Sequence, residues 1–221
     1  MEKDIRLKNI KAFLIENYKW IIFSICIISL IFLIKNIIDK DIKILDEAVY
    51  TVVSKYLISD NVTPFVKFIT NFASPYWFAI FSILLFITIK NRKIGICIVI
   101  NLGLSAALNF IVKNIMRRPR PEEYRLIPES GYSFPSGHSM VSLAFYGFLI
   151  YLIHKNIKNE ALKIILILAL TILIISIGIS RIYLGVHYTS DVLAGFLTAI
   201  VYLIIYVHVI KNIKMENNNF S

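Results

Sequence analysis

The chain has 221 residues, of which 57% are hydrophobic and only 17% charged, and its mean hydropathy is +0.72. The apolar residues arrive in long blocks, more than a soluble domain of this length can bury, so the composition excludes an ordinary soluble domain and points to a membrane protein. The net charge of +10 does not indicate a nucleic-acid partner, because most basic residues sit in short segments between apolar blocks, where membrane orientation places them.

In chain order, residues 1–19 are polar and basic (Lys3, Arg6, Lys8, Lys11, Lys19), and an apolar run from Trp20 to Ile34 follows. It reaches Ile38 if Lys35 snorkels to the interface. No small-residue cleavage pattern follows this run, so it is read as an uncleaved first span. Between 41 and 73, apolar Ile42, Leu45, Val49, Val52 and Tyr56 alternate at roughly helical spacing with Lys43, Asp46, Glu47 and Lys55. That pattern fits an amphipathic helix lying at the interface, with a short soluble connector as the alternative. The second span is expected from Pro75, a favoured first-turn residue, to Ile89. A tight basic loop, Lys90-Asn91-Arg92-Lys93, precedes a third span from Ile94 to about Val112. The fourth follows His138 and ends near Ile153, the fifth covers Ile164–Ile179 and the sixth Val192–Ile210. Spans of about 20 residues fit a hydrocarbon core of roughly 30 Å. Cys26 and Cys97 fall inside these blocks, and no disulfide is expected. The expected fold is therefore all-α: a polytopic membrane protein, six transmembrane helices with an interfacial helical segment between the first and second, forming a single domain over 1–221.

Lysine and arginine counts set the expected orientation. With the N-terminus inside, the 90–93 and 154–163 loops and the Lys211/Lys214 tail are inside too, and residues 113–138 and 180–191 face outward together. The outer segment carries Lys113, Arg117, Arg118, Arg120 and Arg125, against the usual bias. A local break of a rule obeyed elsewhere marks a functional site.

That outer face also holds Pro135-Ser136-Gly137-His138 and, further on, Ser180-Arg181, His187 and Asp191. Guanidinium forks match phosphate oxygens, and a helix start offers free N–H groups to an anion. His187 and Asp191 are four apart, so on a helix start they share a face, and a carboxylate on one ring nitrogen leaves the other as nucleophile or base. His138 is then a second imidazole able to protonate a leaving oxygen. There is no Cys/His cluster with metal-ligand spacing, no acidic cage and no glycine-rich phosphate loop, so neither a metal nor any other cofactor is expected.

Here the chain resembles the type-two phosphatidic acid phosphatase superfamily of integral-membrane lipid phosphatases. The family's signatures read Lys-x6-Arg-Pro, Pro-Ser-Gly-His and Ser-Arg-x5-His-x3-Asp. They are matched by Lys113 with Arg120-Pro121, by Pro135 through His138, and by Ser180-Arg181 with His187 and Asp191. Every specified position agrees, in order and in spacing, across 113–191. The resemblance implies a metal-independent phosphatase acting on a lipid phosphate or diphosphate held in the bilayer. His187 would be the nucleophile, oriented by Asp191, with His138 as acid and then base. Lys113, Arg120, Arg181 and the backbone at Ser136 and Gly137 would hold the phosphate. Phosphatidylglycerol phosphate or phosphatidate, and undecaprenyl diphosphate, are the expected substrates, in the cytoplasmic membrane with the site on its outer face. Arg117, Arg118 and Arg125 lie outside the signatures and are read as interfacial anchors rather than headgroup contacts. The alternatives are a lipid phosphotransferase using the same site and a non-catalytic lipid transporter.

Overall fold

The computed structural model describes the backbone of residues 2–212 and the side chains of residues 14–211; Lys3, Arg6, Lys8 and Lys11 by side chain, and the tail with Lys214, lie outside the described residues. The described chain is helical: α1 (Glu2–Ile38), α2 (Lys43–Val52) continued by one π-helical turn (Val53–Leu57), α3 (Thr63–Asn71), α4 (Pro75–Thr88), α5 (Arg92–Met116), α6 (Gly137–Asn156), α7 (Glu160–Tyr183) and α8 (Thr189–Asn212). Polar caps set several starts. Ser74 Oγ accepts from Trp77 N with Pro75 in the first turn of α4, Asn91 Oδ1 accepts from Lys93 N, and Asn159 Oδ1 accepts from Leu162 N. Such caps satisfy first-turn amides that have no intrahelical acceptor.

Among the described residues five helices are long and apolar enough to cross a membrane, and α3 with α4 forms a sixth candidate bent by 48°. The expected second span, Pro75–Ile89, corresponds to α4, with α3 joined to it at the bend. At 1.5 Å per residue, α4 alone is about 21 Å long, short of a hydrocarbon core of about 30 Å. Joined end to end, α3 and α4 have the length to cross, and Pro75 stands in the first turn of α4 just after the bend. The 41–73 segment is thus divided between α2 with its π-turn, a short connection, and α3.

Helix α6 is central, packed by α5, α7 and α8; α1 lies on α8, α4 on α5 and α3 on α7. Its core contacts are aromatic and branched: Phe145 and Phe148 are buried with Phe78, Ile98, Ile177 and Tyr206. The phenols that enter this core are satisfied by backbone carbonyls, Tyr146 by Phe72 O at 2.6 Å and Tyr206 by Cys97 O at 2.6 Å. Where α6 meets α8 the residues are small: Ala144, Ala194 and Ala199 are fully buried. A side chain at Gly195 would come within 2.9 Å of Ser136 O. Small residues let membrane helices approach closely, which is how association is stabilised where lipid is as apolar as the protein. The outward faces carry Ile28, Ile87, Phe110 and Ile165 in the open, as a lipid-facing surface requires. The consequence for function is convergence. The last turns of α5 and α7 and the first turns of α6 and α8 meet at one end of the bundle.

Candidate active site

The site is assembled from chain segments on either side of helix ends. Lys113 sits in the last turn of α5 and its Nζ donates to Tyr132 O at 2.6 Å. Arg117 then closes α5 in the left-handed region (φ 47°), turning the chain into the 118–136 loop. That loop ends in the cis Phe134–Pro135 peptide and Ser136, whose Oγ caps α6 by accepting from Ser139 N. Ser136 N donates to Asp191 O at 3.0 Å, which ties the start of α6 to the start of α8. The Ser136 amide is thereby engaged with protein, so the first-turn amides of Gly137 and His138 are the ones left to face an anion. A Cβ at Gly137 would lie 2.9 Å from Asn109 Oδ1, so only glycine lets this turn sit against α5 without displacing that amide.

His187 is 1% exposed and both ring nitrogens are accounted for. Arg120 Nη1 lies 2.9 Å from Nε2 and also donates to Val186 O at 2.8 Å. An arginine can only donate, so Nε2 carries a lone pair and Nδ1 carries the hydrogen. Nδ1 is 3.2 Å from Ser133 Oγ and 3.6 Å from Asp191 Oδ2. The longer separation exceeds a hydrogen bond. The Ser133 hydroxyl bridges it, accepting from Nδ1 and donating to Asp191 Oδ2. Burial pushes the His187 imidazole down to about 3, with Arg120 and Lys113 pushing the same way against the opposing carboxylate of Asp191. The ring is therefore neutral at ordinary pH, with its lone pair on Nε2.

Asp191 is fully buried and heavily supported: Tyr188 N donates to Oδ2 at 2.9 Å, and Arg118 Nη1 donates to Oδ1 at 2.7 Å. The expectation that Arg118 is an interfacial anchor is corrected here. Its side chain is only 12% exposed, lies over the Tyr188 ring, and bridges Asp191 to the buried Asp46 of α2 through Nη2 at 2.8 Å. Arg117 and Arg125, by contrast, are exposed.

Arg181, in the last turn of α7, is 1% exposed. Nη1 donates to Thr70 Oγ1 of α3 at 2.8 Å, Nη2 donates to Glu129 Oε2, and Nε finds no hydrogen-bond partner among the described residues. A buried donor left open is what an anion site needs, since such groups are otherwise paired. Arg120 is held by Gly131 O and Ser130 O, each at 3.0 Å. His138, half-buried at the start of α6, lies within electrostatic reach of Arg181, His187, Arg120 and Lys113. All residues picked out by the signatures thus meet at one end of the bundle. The sequence reading missed Ser133, Glu129, Thr70 and Asp46. Ser133 stands two residues before Pro135 and could have been suspected from the density of polar residues there, whereas Asp46 and Thr70 give no local signal.

Fold and site together define a polytopic helical membrane protein with a histidine–aspartate centre set among buried cations. The chain belongs to the PAP2 superfamily, whose sequence profile matches residues 94–215, more than half its length. It is similar to phosphatidylglycerophosphatase B of Bacillus subtilis (38% identical over 104 residues, 46% of this chain and 51% of that one). It also resembles an undecaprenyl-diphosphatase of Sulfolobus acidocaldarius (30% over 142 residues, 59% of this chain and 62% of the relative). The matches thus span between half and two thirds of those relatives' lengths. Its structure resembles the crystal structure of a transmembrane PAP2-type phosphatidylglycerolphosphate phosphatase from Bacillus subtilis, with a TM-score of 0.78 at 25% identity over 87% of this chain and 98% of that one.

Proposed function

We propose that this chain is a membrane lipid phosphatase that removes a terminal phosphate through a phosphohistidine on His187. The observation that carries the reading is the neutral, buried imidazole of His187, its Nε2 lone pair facing Arg120 Nη1 at 2.9 Å. A phosphate oxygen takes over the one Arg120 Nη1 hydrogen that Nε2 accepts, which frees the lone pair while Ser130, Gly131 and Val186 keep the guanidinium in place. Nε2 attacks phosphorus as the bond to the leaving oxygen breaks, and His138 gives that oxygen its proton. The positive charge that develops on the ring is offset by Asp191 through Ser133. Water then attacks phosphorus as the phosphorus–nitrogen bond breaks, its electron pair returning to Nε2, and His138 takes the water's proton. Arg120, Arg181, Lys113 and the first-turn amides of Gly137 and His138 stabilise the charge on the transferring phosphoryl group.

The helical bundle leaves the site at one end, where a lipid can bring its headgroup without leaving the bilayer. The opposite end carries Lys19, Lys155 and Lys211 around a cleft of about 420 Å³ with Trp20 and Tyr151. The positive-inside bias therefore supports placing that end in the cytoplasm and the active site outside. The names of the relatives support two substrate classes, a glycerolipid monophosphate such as phosphatidylglycerol phosphate and a polyprenyl diphosphate.

The test is phosphate release by purified protein in detergent with excess chelator. The panel is phosphatidate, phosphatidylglycerol phosphate, undecaprenyl diphosphate and a water-soluble ester. Rapid denaturing quench with a labelled phosphate would trap an acid-labile, base-stable phosphoprotein. Release and label that survive chelation and vanish in His187→Ala are expected, and the rank order names the substrate class. Folded protein that releases nothing from any member overturns the reading.

A further inference from the structure

We infer that Glu129 is an internal competitor for the phosphate seat, a carboxylate that takes the place between the two signature arginines and has to be displaced by the substrate. The inference rests on the phosphate-cradle reading above and concerns a residue outside all three signatures. In this structure Glu129 Oε2 accepts from Arg181 Nη2, while Oε1 stands 3.8 Å from Arg120 Nη2. One carboxylate therefore spans both guanidinium groups, and carboxylate and phosphate compete for the same planar fork.

The alternative is that Glu129 merely holds the arginines in place, and the contacts argue against it. Arg181 is fixed by Thr70 Oγ1 at 2.8 Å and Arg120 by the carbonyls of Ser130, Gly131 and Val186. Both forks keep these partners with Glu129 removed. Its own situation also differs from theirs. The Glu129 side chain is 27% exposed, against 1% for Arg181 and 5% for Arg120. It is borne on the loop between α5 and α6, so it can turn into water while the arginines cannot. A phosphate in the same seat would place two anions against each other, which disfavours their joint occupancy. The chemistry that follows is selective. Every anion pays the cost of expelling the carboxylate, and inorganic phosphate has nothing but the seat to offset it. A lipid phosphate is also held at the site by its tail, so the device favours release of phosphate after hydrolysis.

The experiment compares wild type, Glu129→Gln and Glu129→Ala by titration with inorganic phosphate, read as competitive inhibition of lipid turnover and as a shift in thermal midpoint. Thermal midpoints without phosphate establish that each variant is folded. The expected result is phosphate affinity at least ten-fold tighter in both variants, with KM falling alongside it. Unchanged or weaker phosphate binding in both folded variants, beside a wild type that binds phosphate and forms the phosphohistidine, overturns the inference and leaves the phosphatase reading standing. A wild type that neither binds phosphate nor forms the phosphohistidine removes the cradle reading itself, and this inference with it.

Discussion

Asp46 and Asp191, far apart in the sequence, share one guanidinium: Arg118 donates Nη2 to Asp46 Oδ2 and Nη1 to Asp191 Oδ1. Ser190 closes the arrangement, giving its N–H to Asp46 Oδ1 at 3.0 Å and its hydroxyl to Asp46 Oδ2. Helix α2 carries none of the signature residues, yet it is tied through this network to the carboxylate that supports His187. The 41–73 segment therefore positions the site as well as lying beside it.

The charges predict an unequal cost of breaking the network. Arg118→Gln leaves two buried carboxylates, 1% and 0% exposed, without a cation, and an uncompensated buried charge costs about 3–5 kcal/mol. Asp46→Asn leaves the Arg118–Asp191 pair neutral and loses only hydrogen bonds, about 1–3 kcal/mol. The double variant removes one charge of each sign and should be no less stable than Arg118→Gln alone. Unfolding in detergent measures all three as a double-mutant cycle. Arg117→Gln, at an exposed side chain, is the control, expected within about 0.5 kcal/mol of wild type. Strictly additive losses in the cycle would sink the argument.

Ser133 gives a kinetic prediction. Its hydroxyl connects His187 Nδ1 to Asp191 Oδ2 across a 3.6 Å gap and contacts nothing in the phosphate seat among its hydrogen bonds. Ser133→Ala should lower kcat by about 10- to 100-fold, the rate equivalent of the roughly 1.5–3 kcal/mol carried by a hydrogen bond to a charged group. KM should stay near the wild-type value. A rise in KM with kcat unchanged would place Ser133 in substrate binding instead.

The parts of this molecule legible in the sequence are those with a period or a fixed spacing. Hydropathy blocks located every long helix, and the signature spacing picked out residues that the helix ends do bring together. What was not legible depends on packing between distant segments. Pro75 reads equally as the start of a span and as the restart after a 48° bend, because a proline suits a first helical turn in either case. Arg118 and Arg117 are neighbours of one type in one basic run, and what separates the buried one from the exposed one is the arrival of Asp46, Ser190 and Asp191 from distant parts of the chain. Asp46 itself stands in an amphipathic pattern where an acid is expected to face water. Ser136 was expected to offer its amide to the phosphate, but the close approach of α8 at Gly195 brings Asp191 O to that amide first.

The last prediction concerns pH. Burial holds the folded His187 at about 3, below the value near 6.5 of an exposed histidine. Between these values the unfolded chain binds a proton that the folded chain does not. Stability from the neutral ring is thus fully present above pH 6.5 and is lost progressively as pH falls toward 3. Over that window a single proton gives a slope of at most about 1.4 kcal/mol per pH unit. His187→Gln removes the titrating group, so its stability should fall less steeply than that of wild type between pH 6.5 and 4.5, with the difference not exceeding one proton. Denaturant unfolding of both proteins at several pH values measures it. Parallel slopes in the two proteins would mean that His187 takes up its proton in the folded state as readily as in water, and that the lone pair on Nε2 is not protected by burial.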